Sequence, residues 1–249
     1  MIILKSPREI SIMRETNQIV AETHAYLKTK IVPGISTAEI NRLGEAFIRK
    51  QGGEPSFKGY RGYPASICIS INEEVVHGLP SENRFLEEGD IVSLDIGVYY
   101  KGFHGDAART IGVGEITAKA FRLLEITEKS FFKALQKARP GNRLTDICHC
   151  IESFAESNNY SVVREYVGHG IGTKMHEDPQ IPNFGPPGKG PLLKSGMTLA
   201  IEPMLNIGTF EVVTLDDNWT VITRDRKLSA HYENTIAITE DEPLILSKL

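Results

Sequence analysis

Gly89–Thr110, GDIVSLDIGVYYKGFHGDAART, decides how the rest of the chain is read. Ile91 to Val98 is rich in β-formers, Tyr99-Tyr100-Lys101-Gly102 can turn with Gly102 at positive φ, and the chain returns from Phe103 to Thr110. With those four residues as the loop, Asp95 lies directly opposite Asp106, both side chains on one face and their β-carbons roughly 5 Å apart. Asp95 is flanked by Leu94 and Ile96, which predicts burial. Two buried carboxylates that close repel, and an unpaired buried charge is costly. A single Asp in such a hairpin reads as a turn cap or a solvated residue. Two in register inside apolar strands read as a divalent-cation site.

The 249 residues are 41% hydrophobic and 24% charged, with a formal net charge of −4. That is an ordinary globular balance, and without a Lys/Arg run it gives no nucleic-acid surface. The opening MIILKSPRE has too few apolar residues for a secretion signal or anchor, and no run of about 18 apolar residues exists to span a membrane. Three cysteines, an odd number, predict a reducing compartment. Cys148-His149-Cys150 lies in a helical pattern with no second Cys/His pair at zinc spacing, and reads as structural.

Ser6-Pro7-Arg8-Glu9 is a capping box with proline in the first turn, and Ile10, Met13, Val20 and Leu27 follow on one helical stripe. Pro33-Gly34 ends that helix. Ser36–Glu39 predicts a second capping box, with Ile40, Leu43 and Phe47 facing inward until Gly52-Gly53. Strands are predicted at Ser66–Ile71 and Ile91–Val98. The plan recurs at an offset of 107 residues: Pro33-Gly34 as Pro140-Gly141, Ile40 as Ile147, Glu45 as Glu152, Phe47 as Phe154, Leu86 as Leu193, Gly89 as Gly196, and Asp95 as Glu202. A gap-free repeat of this kind predicts a duplicated α+β fold whose halves, roughly 1–110 and 111–249, share one mostly antiparallel sheet with helices on one side. A duplicated acid places the site on the pseudo-two-fold axis.

Glu233, in SAHYENTIAIT, and His169, between the glycines of VGHGIG, complete a candidate set with Asp95, Asp106 and Glu202. Alone, each reads as structural. Together, four carboxylates balance two divalent ions and one neutral imidazole adds a fifth ligand, a donor set that suits Mn, Fe, Co or Zn. Two such ions are suited to hydrolysis.

These residues lie in stretches that resemble type I methionine aminopeptidases: GYRGYPASICISINEEVVHGLP, LDIGVYYKGFHGDAART, GHGIGTKMHEDP, GMTLAIEP and NWTVITRDRKLSAHYENTI. The resemblance covers nearly the whole chain. It implies the pita-bread fold, an α+β architecture of two pseudo-symmetric halves in a single catalytic domain over 1–249. It implies Asp95, Asp106, His169, Glu202 and Glu233 as ligands of two divalent ions, with Asp106 and Glu233 bridging and Asp95 on one ion, His169 and Glu202 on the other. It implies that His77 and His176 contact the substrate about the scissile bond, and that Glu202 also shuttles a proton. It assigns the methionine pocket to Tyr60, Tyr63, Cys68 and Trp219, with Phe57 where a cysteine can occur and Met175 where a phenylalanine can occur. Aromatic rings with a sulfur suit a thioether. Asn72 and Ser229 resemble a monovalent-cation site.

The reaction implied is removal of the N-terminal methionine from new polypeptides by a metal-held hydroxide, in the cytoplasm, when the second residue is small. Nascent polypeptide N-termini are then the partner, with transient ribosome association and a monomeric state as further expectations, although no ribosome-binding patch or oligomer interface is visible. The chain lacks the long insertion of type II enzymes between His176 and Glu202. The rival readings are a proline-directed peptidase of the same fold and a non-catalytic peptide-binding module, which would have lost ligands.

Overall fold

The computed structural model describes residues 1–248. Helix α1 (Pro7–Lys28) begins as its capping box predicts: Ser6 Oγ accepts from the Glu9 N–H, and the Glu9 carboxylate accepts from the Ser6 N–H at 2.7 Å. Helix α2 (Thr37–Lys50) keeps only half of the expected box. Ser36 Oγ accepts from the Glu39 N–H at 3.1 Å, but the Glu39 carboxylate turns outward to Arg42. Strands β1 (Glu54–Pro55), β2 (Cys68–Ile71), β3 (Glu74–Val76), β4 (Ile91–Tyr100) and β5 (Phe103–Gly112) complete the first half. The second half has α3 (Ala118–Leu135), α4 (Leu144–Ser157), β6 (Ser161–Val162), β7 (Gly168–Gly170), β8 (Glu177–Ile181), β9 (Thr198–Ile201), β10 (Met204–Asn206), β11 (Val212–Thr214), β12 (Val221–Thr223), β13 (Ser229–His231), β14 (Asn234–Ala237) and β15 (Leu244–Ile245).

The duplication is physical. Helices α2 and α4 are 107 residues apart at both ends. The bridge Ser36↔Phe85 recurs as Arg143↔Leu192. The Leu86 N–H to Ile35 O bond (2.9 Å) recurs as Leu193 N–H to Asn142 O (2.8 Å), and Gly89 and Gly196 turn at φ +92° and +91°. Each half also packs its own core, around Val20, Leu27, Ile40 and Leu94 in the first and Leu123, Phe131, Ile147 and Ile201 in the second.

Every strand pairing among the described residues is antiparallel. In the first half β4 is central, with β5 on one edge and β1 and β2 on the other. The second half has the order β15-β14-β9-β7-β8, and two three-stranded ladders flank the pair. The halves join through the β3–β12 ladder, through an apolar cluster fed by both, and where β5 meets the start of β14. The Glu233 N–H donates to Ala108 O at 2.9 Å, and Thr235 Oγ1 both donates to Asp106 O (2.8 Å) and accepts from its N–H (3.1 Å).

Helix α1 covers one face of β5, where a β-carbon at Gly105 would lie 2.7 Å from Asn17 and where His24 Nε2 contacts Ala107 O at 2.8 Å. By strand alternation, Asp106 points to the opposite face. The hairpin register differs from the four-residue-loop expectation. The loop is Lys101-Gly102 alone, both at positive φ (50° and 88°), and Tyr100 pairs with Phe103. Asp95 therefore faces Ala108, and Asp106 faces Gly97. The partner of Asp95 has moved by two residues, which preserves the face, so the two carboxylates are diagonal neighbours on one surface rather than a direct pair.

Candidate metal centre

All five predicted ligands line one cleft of about 670 Å³. Asp95 comes from the middle of β4 and Asp106 from β5. His169 is the central residue of β7, Glu202 follows β9, and Glu233 precedes β14. Asp95 and Glu202, 107 residues apart, thus bring one acid from each half to the same cleft, although Asp95 lies within β4 and Glu202 just past β9. Gly168 and Gly170 admit the neighbouring strands on either side of His169: β-carbons there would sit 2.5 Å from Ala200 O and 2.1 Å from Asp178 O.

Asp106, His169 and Glu233 are buried, and ligand atoms of these three all lie within 4.8 Å of one another. Asp95 and Glu202 are half-buried. His169 Nδ1 donates to Gly170 O at 2.9 Å, which leaves the Nε2 lone pair facing Asp106 Oδ2 and Glu202 Oε1, each at 3.8 Å. Asp95 Oδ1, Asp106 Oδ1 and Glu233 Oε1 are sealed from solvent without a hydrogen-bond partner. A set of acceptors converging without a donor is a costly arrangement that a cation relieves, so the residues fit divalent metal. Burial and mutual repulsion push Asp106 and Glu233 well above the carboxylate range. Burial lifts Asp95 and Glu202 to about 7 and drops His169 to about 4.

His77 and His176 stand over this floor. His77 is half-buried at φ +60°, its ring edge-on to Tyr166 (5.3 Å) and Trp219 (6.5 Å). His176 stacks on Tyr60 (5.2 Å) and lies 4.2 Å, centroid to centroid, from His169, with Nδ1 2.8 Å from the Tyr60 hydroxyl. Burial lowers both imidazoles to about 4. Of the predicted methionine-pocket residues, Tyr60, Tyr63, Cys68, Trp219 and Phe57 line the cleft. Tyr63 donates its hydroxyl to Gly78 O (2.9 Å) and packs edge-on to Trp219. Met175 does not line the cleft. It is buried with Phe57, Tyr63 and Cys68 in the apolar cluster beneath it.

Asn72 and Ser229 are adjacent through a backbone bond from the Ser229 N–H to Asn72 O (2.9 Å), and Ser229 Oγ is buried without a partner. Cys148 is sealed in the core of α4 while His149 is exposed on the same helix, as the structural reading of that triplet expects.

Two residues at the site escaped the sequence reading. His231 is buried with Nε2 3.6 Å from Glu202 Oε2, and Tyr166 braces His77. His231 is two residues from Glu233, so strand alternation could have placed it on the cleft side. Nothing near Tyr166 in the sequence marks it.

Comparison with known proteins agrees with this geometry. The model of metallopeptidase family M24 matches residues 11–240. The methionine aminopeptidase of Clostridium perfringens is 58% identical over 247 residues, 99% of each chain. Methionine aminopeptidase 1 of Bacillus subtilis is 57% identical over 249 residues, the full length of both. The crystal structure of methionine aminopeptidase from Thermotoga maritima superposes with a TM-score of 0.98 at 46% identity, covering all of both chains. Built on the pita-bread fold with an acidic cleft shared by its two halves, this chain belongs to metallopeptidase family M24 and, within it, to the methionine aminopeptidases.

Proposed function

We propose that the cleft releases methionine from the N-terminus of polypeptides whose second residue is small, using two divalent ions held by Asp95, Asp106, His169, Glu202 and Glu233. The observation that carries this reading is the convergence of unpartnered acceptors on the cleft floor, beside a wall of aromatic rings and a thiol. Divalent ions, when bound, supply Lewis acidity and an activated water. Cobalt, manganese, iron and zinc all suit the donor set. Asp106 and Glu233, the two most buried carboxylates of the set, would be the innermost ligands. The halves 1–110 and 111–249 form one catalytic domain, because neither holds the ligand set alone. Intact ligands also set the chain apart from a non-catalytic module. Asn72 and the unpartnered Ser229 Oγ would hold a monovalent cation.

The chain's own groups do the rest. The Tyr60 hydroxyl lies 2.8 Å from His176 Nδ1, and when it donates there the imidazole proton sits on Nε2. That N–H donates to the first peptide carbonyl oxygen as negative charge develops on it. Glu202, at the edge of the cleft with its side chain 13% exposed, would take the proton that the attacking water gives up and pass it to the departing amine. His77 contacts the nitrogen side of the bond. Tyr63, Cys68, Trp219 and Phe57 take the methionine side chain.

Specificity for the second residue is steric. His77 and the Tyr60–Tyr63 turn crowd that side chain, and displacement of the carbonyl by about 1 Å can cost on the order of 100-fold in rate. Met-Ala-Ser is therefore expected to turn over about 100-fold faster than Met-Leu-Ser or Met-Lys-Ser once metal is restored. Equal rates would make a broad aminopeptidase the better description. Norleucine at the first position is expected to be cleaved well, since one methylene is worth only about 1–3 kcal/mol. The partner is the N-terminus of a nascent chain, met as a monomer in the cytoplasm and near the ribosome. Among the described residues no helix is long and apolar enough to cross a membrane.

A further inference from the structure

The loop that carries His176 is closed on a buried ion pair the reaction does not use. Glu177 Oε1 accepts from the Lys174 N–H at 3.2 Å and lies 3.4 Å from Thr173 Oγ1. Its other oxygen meets Lys5 Nζ at 2.5 Å, and the two side chains are only 4% and 6% exposed. Lys5 comes from the segment before α1, where its backbone N–H is tied to Gly196 O at 2.7 Å. The loop is moulded to this pair: a β-carbon at Gly172 would fall 2.4 Å from Lys5 Cε and 2.6 Å from Glu177 Oε1. The Gly172 carbonyl in turn accepts from the His104 N–H at 2.8 Å, which fixes the loop to β5. Glu177 pairs with Gly170, the neighbour of His169, across a register shift between β7 and β8. His169 and His176 are therefore each one residue away from backbone that the pair holds.

We propose that Lys5 is a positioning residue for His176: its ammonium holds Glu177, Glu177 holds the 172–177 loop, and the loop sets His176 over the cleft. The inference rests on the reading of His176 as a substrate-contacting group. A buried pair that served stability alone would melt the protein when broken and leave the turnover of folded molecules unchanged. A positioning pair lowers kcat in molecules that remain folded.

The test is kinetics on metal-reconstituted Lys5→Met and Lys5→Met/Glu177→Gln, at a temperature where circular dichroism shows both folded, with His176→Ala alongside. The double variant leaves no unpaired charge in the interior and decides the matter by itself if Lys5→Met does not fold. Both are expected to lose about tenfold in kcat for Met-Ala-Ser with KM within about twofold of the parent, because misplacement acts on the transition state. The double variant is expected to regain the melting temperature but not kcat. Parental kcat in the folded variants, or a loss carried by KM, would overturn the role of Lys5. If His176→Ala lowers kcat and the Lys5 variants do not, the fault lies in the positioning argument alone. An unchanged kcat in His176→Ala would overturn both readings together.

Discussion

A single phenol hydroxyl is hydrogen-bonded to His176 Nδ1 at 2.8 Å. Of the two neutral forms of the imidazole, only the one with its proton on Nε2, to which the hydroxyl donates, can donate to the carbonyl. His176→Ala is expected to lower kcat by about 100-fold while moving KM much less, the pattern of an interaction made in the transition state. Tyr60→Phe keeps the ring stacked on His176 and removes only the hydrogen bond to Nδ1, so its loss in kcat is expected to be smaller, about tenfold. Steady-state rates on Met-Ala-Ser check both, and an undiminished kcat in His176→Ala would leave that histidine a structural residue. Residues of this kind were legible in the sequence as far as their chemistry showed: four acids and a glycine-flanked histidine announce a cation. The brace residues were not. Tyr166 and Lys5 act through tertiary contacts, to His77 and to Glu177, that no local pattern encodes.

The β4–β5 hairpin shows how a strand pair can be read with the wrong turn and still give the right face. Tyr99 and Tyr100 are strong β-formers and extend the strand, and Lys101 takes φ +50°, a conformation in which a two-residue turn commonly has Asn, Asp or Gly. A loop of four residues was the natural reading, and its error of two positions cannot move a side chain across the sheet. The same hairpin carries a constraint that sequence does not reveal. Opposite Asp106 stands Gly97, where a β-carbon would come within 2.7 Å of the Phe57 ring. Gly97→Ala is expected to cost about 1–3 kcal/mol of stability and to raise KM for methionyl substrates by pushing Phe57 into the methionine pocket. Denaturant titration and steady-state kinetics read the two effects separately, and an unmoved KM would mean that Phe57 does not shape the pocket.

Seen whole, the protein carries ionisable groups that oppose its folding when metal is withheld. Asp95 and Glu202 hold their protons to about 7 in the folded state, and burial with mutual repulsion raises Asp106 and Glu233 well above the carboxylate range. A carboxyl whose folded pKa lies above its unfolded value costs stability as pH rises through that interval. Five histidines work in the opposite sense. His24 is depressed to about 3, and His77, His169, His176 and His231 to about 4, so their contribution grows with pH but is complete above the ordinary imidazole value of 6.5. Above 6.5 only the carboxyls remain, and the melting temperature of chelator-treated protein is expected to fall between there and about pH 8. Divalent metal should reverse the fall, by about 2.7 kcal/mol at 100-fold excess over its Kd, and should release protons on binding near neutral pH. A flat profile in chelator would mean that the acidic cluster is already relieved without metal. The repeat was legible through α2, α4 and the first strands because the 107-residue offset is kept there. It is lost after Glu202, where β10 to β13 intervene before Glu233, while only one turn separates Asp95 from Asp106. Geometry restores an equivalence there that counting residues cannot.

The join between β5 and β14 has the character of a subunit interface that happens to lie within one chain. Its backbone bonds are few, the side chains of Arg109, Thr110 and Thr235 cross it, and the acids of the cleft gather beside it. A chain nicked between β5 and α3, near the exposed Gly114 and Glu115, would then behave as a heterodimer in which coordination energy becomes association energy. Its two fragments are expected to co-elute, held also by the shared apolar cluster and the β3–β12 ladder, and to come apart at a lower denaturant concentration when a chelator removes divalent metal.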